Sequence, residues 1–210
     1  MFVKICGITR LEDALAAAQC GADALGFVFW PDSPRWIDPY RAQSIVAALP
    51  RPVTPVGVFV NQPVEDVNNA AAVARLATIQ LHGDETPDYA AKMDRPVLKA
   101  MNVAAASDSA VDETWPSPAM ILLDAHDPVK RGGTGQTIDW AAAAAVAARR
   151  RVILAGGLTP ENVALAVDRV HPYGIDVSSG VERAPGIKDH GRLRALFEAI
   201  HDSSHHPSRP

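Results

Sequence analysis

The stretch Val152-Ile153-Leu154-Ala155-Gly156-Gly157-Leu158-Thr159-Pro160-Glu161-Asn162 decides the fold. A short apolar, β-branched run ends on two glycines, and a Thr-Pro pair with helix-start chemistry follows at once. Val163, Ala166, Val167 and Val170 then repeat at helical spacing and mark one buried stripe. The unit is strand, tight turn, helix. Working outward, the same unit recurs. Apolar runs occupy residues 2–6, 24–29, 56–60, 78–81, 97–101, 120–124, 151–155 and 174–177. Each is near-continuously hydrophobic, as parallel strands covered on both faces must be.

The segments between the runs carry helix signals. Thr9-Arg10-Leu11-Glu12 fits a capping box ahead of Leu11, Ala14, Leu15 and Ala18. Asp38-Pro39, Thr86-Pro87 and Thr159-Pro160 each put a capping side chain before a proline. Residues 104–115, with their Ser and Asp residues, predict a short or irregular fifth helix. Repeated strand–helix units close a barrel or form an open doubly wound sheet. Polar residues and glycines cluster just after the runs, at the end where barrel sites are built, which favours a single-domain (β/α)8 TIM barrel with a parallel sheet. No Pro/Gly/Ser linker divides the chain, so residues 1–201 read as one catalytic-sized domain and residues 202–210 (DSSHHPSRP) as a flexible tail.

Bulk properties exclude several function classes. The 210 residues suit one domain at the short end for a barrel, and 48% hydrophobic residues supply its core. A net charge of -4 gives no basic footprint for nucleic acid. No run approaches the roughly 18 apolar residues of a membrane helix, and the N-terminus lacks the apolar core of a signal peptide. Cys6 and Cys20 form no CxxC pair and read as free thiols in a reducing cytoplasm. No HExxH or similar spacing appears, so neither a metal nor an organic cofactor is expected.

Candidate site residues lie at the run ends. Gly156 and Gly157 after the seventh run, with Ser179 and Gly180 after the eighth, form two turns where barrels commonly hold a phosphate. Gly132-Gly133-Thr134-Gly135-Gln136-Thr137 follows the sixth run without a P-loop lysine, and reads as a lid or as a plain flexible loop. Cys6 closes the first run and Asp124 the sixth. Beside a phosphate site they suit a base and an acid that move a proton between adjacent sugar carbons, although a buried cysteine is also a small hydrophobe and a terminal aspartate also a cap.

Lys4-Ile5-Cys6-Gly7-Ile8-Thr9 resembles the opening of the phosphoribosylanthranilate isomerase family of tryptophan biosynthesis. The match continues through Gly26-Phe27-Val28-Phe29, Ser33-Pro34-Arg35, Gln80-Leu81-His82-Gly83, Gly132-Gly133-Thr134-Gly135, Ala155-Gly156-Gly157-Leu158, 176–182 and Gly186-Ile187-Lys188-Asp189. The resemblance implies a (β/α)8 barrel and an Amadori rearrangement of a small phosphosugar, N-(5-phosphoribosyl)anthranilate, without cofactor. It implies Asp124 as general acid and Cys6 as general base. Arg35 is similar to the arginine that holds the anthranilate carboxylate, and its planar fork suits that group. His82 is expected to support the site by a hydrogen bond or to serve a plain structural role, and Asp176 to bind a sugar hydroxyl or steady a loop. Lys4 or the positive end of the phosphate site is expected to favour the Cys6 thiolate.

Two other readings compete. Related barrel isomerases of histidine biosynthesis act on an aminoimidazole ribotide with a pair of aspartates, and Cys6 at the first strand argues against them. A non-catalytic phosphosugar-binding barrel would have no use for Cys6, Arg35 and Asp124 together. The sequence allows a monomer or a homodimer.

Overall fold

A computed structural model describes residues 1–50, 52–108, 110–115, 120–124 and 139–204. Eight parallel strands close into one barrel in sequence order: β1 (Phe2–Ile5), β2 (Ala24–Val28), β3 (Thr54–Phe59), β4 (Thr78–Leu81), β5 (Val97–Asn102), β6 (Met120–Asp124), β7 (Val152–Leu154) and β8 (Gly174–Val177). Closure is made by β1 against β8, with Lys4 opposite Asp176 and Ile5 opposite Val177. Outside lie α1 (Leu11–Cys20), α2 (Pro39–Ala47), α3 (Val64–Val73), α4 (Pro87–Ala90), α5 (Val103–Ser107), α6 (Ala110–Thr114), α7 (Trp140–Ala147), α8 (Val163–Val170) and α9 (His190–Ser204). A small antiparallel ribbon, β9 (Glu182–Ala184) with β10 (Ile187–Lys188), joins β8 to α9.

Strand pleating sorts the side chains into two cores. Val3, Ile5, Leu25, Phe27, Ile79, Leu81, Ile121 and Leu123 face outward and pack with the helices in the main hydrophobic cluster. Their alternates fill the barrel. Leu98, Ala100, Leu122, Ile153 and Ala155, from β5 to the end of β7, form a separate apolar plug, while Lys4, Gln80 and Asp176 are buried polar residues of β1, β4 and β8. Cys6, Val28 and Val58 make a third small cluster nearer the mouth. The interior thus combines an apolar plug with buried polar groups and a small apolar cluster toward the mouth.

All eight predicted runs are strands; three keep both ends and in the other five one or both ends shift by one or two residues. The fifth helical segment is indeed broken, into α5 and α6. Asp38 caps α2 by accepting from the N–H groups of Tyr40 and Arg41, and Thr86 caps α4 through Tyr89. Two helix starts differ from expectation. Thr9 does not cap α1: its hydroxyl donates to Gly186 O, and Arg10 holds the cap position without a side-chain bond. Thr159-Pro160 forms a turn locked by Asn162, which accepts from Thr159 N–H and donates to Gly157 O, so α8 begins only at Val163. Residues 202–204 of the expected tail continue α9, and 205–210 lie outside the described residues. No helix among the described residues is long and apolar enough to cross a membrane.

Candidate active site

A cavity of about 460 Å3 opens at the mouth of the barrel. One wall is apolar, made by Val28, Trp30, Val58 and Val60. The remaining walls bring together residues from strands far apart in sequence: Cys6, Arg35, His82, Asp124, Asp176 and the loops after β7 and β8.

Cys6 stands one residue beyond β1, anchored by its N–H on Val177 O at 2.9 Å. Beneath it Lys4 is fully buried, with Nζ 2.9 Å from Asp176 Oδ1. Burial alone would pull the Lys4 ammonium down, but Asp176 and Cys6 outweigh it and hold the group above its ordinary value. Burial likewise dominates at Cys6, pushing the thiol up against the pull of Lys4 and Lys188. Lys4 favours the Cys6 thiolate as expected, and with Lys188 it limits the desolvation cost without cancelling it.

Lys188, buried at the end of β10, donates to Cys6 O, to Ser178 O at 3.2 Å and to Glu182 Oε1 at 2.8 Å. It ties the ends of β1 and β8 to the ribbon. Burial lowers its pKa despite Glu182. For Glu182, burial is opposed and overcome by Arg35 and Lys188, which hold its carboxyl below the usual range. Arg35 reaches Glu182 through Nε at 3.0 and 3.1 Å and through Nη2 at 2.7 Å. Its stem crosses Gly7, where φ is 78° and a Cβ would sit 2.6 Å from Arg35 Cδ. Both the backbone and the close approach require glycine there.

On the opposite wall, His82 Nε2 lies 3.1 Å from Asp124 Oδ2 and His82 Nδ1 lies 2.9 Å from Gln80 Nε2. Glu85 fixes the backbone around His82 by accepting from the N–H groups of Asn61 and Gly83, and pairs with buried Lys99 at 2.9 Å. The expected support from His82 therefore falls on Asp124.

Gly156 and Gly157 line the cavity with Ser178 and Ser179, and both glycines have positive φ, 82° and 64°. Successive left-handed residues of this kind can turn backbone N–H groups toward an anion. Gly180 is not among the lining residues. A Cβ there would strike Leu158 O, so its place is to let the two loops touch. The Gly132–Thr137 segment lies outside the described residues.

Gln80, Glu182 and Lys188 had no role assigned from the sequence. A lysine or glutamine inside an apolar run was the available signal for Lys4 and Gln80, because a buried polar group needs a partner. Glu182 and Lys188 lie in blocks that carry the family resemblance, but their partners Arg35, Cys6 and Asp13 are remote in sequence, so no role could be read for them. Among the described residues no group of His, Cys, Asp and Glu converges as a metal cage would.

Residues 3–199 match the family described as N-(5'phosphoribosyl)anthranilate (PRA) isomerase. The chain is similar to N-(5'-phosphoribosyl)anthranilate isomerase of Geobacter metallireducens, at 52% identity over 93% of this chain and 96% of that one. It resembles the crystal structure of phosphoribosyl anthranilate isomerase from Thermus thermophilus, at TM-score 0.88 and 45% identity over 96% of this chain and 99% of that chain. It also resembles a phosphoribosyl anthranilate isomerase solved with reduced 1-(o-carboxyphenylamino)-1-deoxyribulose 5-phosphate, at TM-score 0.84, 40% identity and the same coverages, 96% and 99%.

Proposed function

The chain belongs to the N-(5'-phosphoribosyl)anthranilate isomerase family and catalyses that family's Amadori rearrangement in tryptophan biosynthesis, and we propose that Asp124 and Cys6 are its acid and base. The substrate, N-(5'-phosphoribosyl)anthranilate, becomes 1-(2-carboxyphenylamino)-1-deoxyribulose 5-phosphate. The observation that carries the residue assignment is the meeting of Cys6 and Asp124 at one cavity, from the ends of β1 and β6, between an apolar wall and the loops after β7 and β8.

The parts divide by chemistry. The turns at Gly156-Gly157 and Ser178-Ser179 take the phosphate. The wall of Val28, Trp30, Val58 and Val60 takes the aryl ring, and Arg35 takes its carboxylate. Asp176 keeps one oxygen on Lys4, which leaves the other for a sugar hydroxyl.

Asp124 gives its proton to the furanose ring oxygen as the C1–O bond breaks toward that oxygen. The nitrogen lone pair forms the C1=N bond of a cationic Schiff base. Cys6 then takes the C2 proton, and the released electron pair forms C1=C2 and neutralises the nitrogen. The enolamine gains a proton at C1 and loses one from the C2 oxygen, giving the ketone. The cation formed by ring opening stands in the same cavity as Cys6, and a neighbouring positive charge favours the thiolate. Cys6 acts in the second step as the thiolate, its own proton having passed to solvent beforehand, and the nearby cation steadies that charge.

The chain is taken to act as a monomer or as a homodimer. Both cysteines are free thiols, which suits a reducing cytoplasm. Turnover of freshly made substrate by wild type and by Asp124→Asn tests the acid. A drop of about 10^2–10^4-fold in kcat supports it, and wild-type turnover by the variant excludes it.

A further inference from the structure

Gln80 is 1% exposed, lines the cavity and places Nε2 2.9 Å from His82 Nδ1. Its Oε1 is buried and has no hydrogen-bond partner among the described residues. Exchanging the amide oxygen and nitrogen would keep the same shape. It would also leave an NH2 group, with two donors, buried and unpaired in place of one oxygen. An orphaned buried N–H is rarer in proteins than an under-used carbonyl oxygen. The amide therefore donates to His82 Nδ1.

That orientation fixes the histidine. A ring nitrogen that accepts carries no proton, so neutral His82 holds its proton on Nε2. Nε2–H then donates to Asp124 Oδ2, 3.1 Å away. A protonated carboxyl has one hydroxyl oxygen and one acceptor oxygen, and Oδ2 is already the acceptor. The transferable proton belongs on Oδ1.

We propose that Gln80 is a positioning residue: by setting the His82 tautomer it places the acid proton of Asp124 on Oδ1. This rests on the reading of Asp124 as the acid. In the step itself the Oδ1–H bond breaks, its electron pair stays on the carboxylate, and the proton joins the ring oxygen that receives the C1–O pair. His82 keeps the same N–H on Oδ2 throughout and stabilises the carboxylate left behind. The His82 ring needs no proton change, and the acid step costs no rearrangement of hydrogen bonds on its far side.

The test is two-bond 1H–15N correlation on protein labelled with 15N-histidine, with the His82 signals identified by their loss in His82→Asn. Wild type is expected to show the Nε2–H pattern. Gln80→Glu replaces the donor by an acceptor and is expected to put a proton on Nδ1, with kcat lowered about tenfold or more and KM within about twofold. A wild-type His82 protonated on Nδ1 overturns the proposal, and that spectrum decides the tautomer even if the variant folds poorly. An unchanged His82 pattern in folded Gln80→Glu overturns it, as does a changed pattern with wild-type kcat. If Asp124→Asn keeps full activity, the acid assignment fails instead, and the His82 spectrum identifies that failure as separate.

Discussion

Glu182 grips Arg35 along the edge formed by Nε and Nη2, at 3.0 Å and 2.7 Å. A guanidinium has a second bidentate edge, between Nη1 and Nη2, and the grip leaves it for a carboxylate. Glu182 is itself held by Lys188, so the three charges leave one net positive charge beside the cavity. The arginine that the resemblance assigns to the substrate is thus aimed by residues on the β9–β10 ribbon.

Removing that aim should cost binding before chemistry. Glu182→Ala is expected to raise KM about tenfold, the loss of roughly one good charged hydrogen bond, with kcat changed less than threefold. Glu182→Gln keeps an acceptor for Arg35 and should stay much nearer wild type. Steady-state kinetics of both variants check this; equal KM in Glu182→Ala and wild type would remove Glu182 from the account.

Burial holds the Cys6 thiol above its ordinary value, with Lys4 and Lys188 pulling down. The thiolate is the reactive form, so alkylation of Cys6 should be slow at neutral pH and rise through the alkaline range. Lys4→Met removes the larger opposing charge and should move the curve further up. The rate of iodoacetamide labelling against pH, in a Cys20→Ser background that silences the second thiol, measures both curves. A Cys6 that titrates below a free thiol contradicts the balance described.

Asp13 is 1% exposed on α1, and its carboxylate accepts from Lys188 N–H at 3.0 Å and from His190 Nε2 at 2.8 Å. It fastens the last helix and the ribbon to the first helix. Asp13→Ala strands a buried N–H and should destabilise the fold by about 2–3 kcal/mol. Urea unfolding is the measurement.

Gly180→Ala drives a methyl group into Leu158 O and must separate the loop after β8 from the loop after β7. Since both loops contribute to the phosphate turns, KM should rise and inhibition by inorganic phosphate should weaken. Retained phosphate inhibition would show that the contact between the loops is not needed for the anion.

The barrel was legible because its signals are local. Apolar runs such as Met120–Asp124 and Gly174–Val177 announce strands buried on both faces, and glycines at their ends announce turns. The ends of the strands also exposed Cys6 and Asp124. The helix starts at Thr9 and Thr159 misled for a physical reason. The first hydroxyl finds a better acceptor in Gly186 O, and the second lies in a turn that Asn162 closes. The charged web was the least legible. Lys188 meets Cys6 and Asp13 across more than 170 residues of sequence, and Glu182 meets Arg35 across 147. Such pairs come together only when β1 closes on β8. The Lys4–Asp176 pair is the same closure seen from inside, since the two residues face each other in register.

The most direct test of the central claim follows the fluorescence of N-(5'-phosphoribosyl)anthranilate after addition of wild type or Cys6→Ala. Rapid loss of fluorescence with wild type, and a rate lower by about 10^2-fold or more with the folded variant, is the expected result. Equal rates would remove Cys6 as the base, and no loss with folded wild type and intact substrate would contradict the assigned reaction itself.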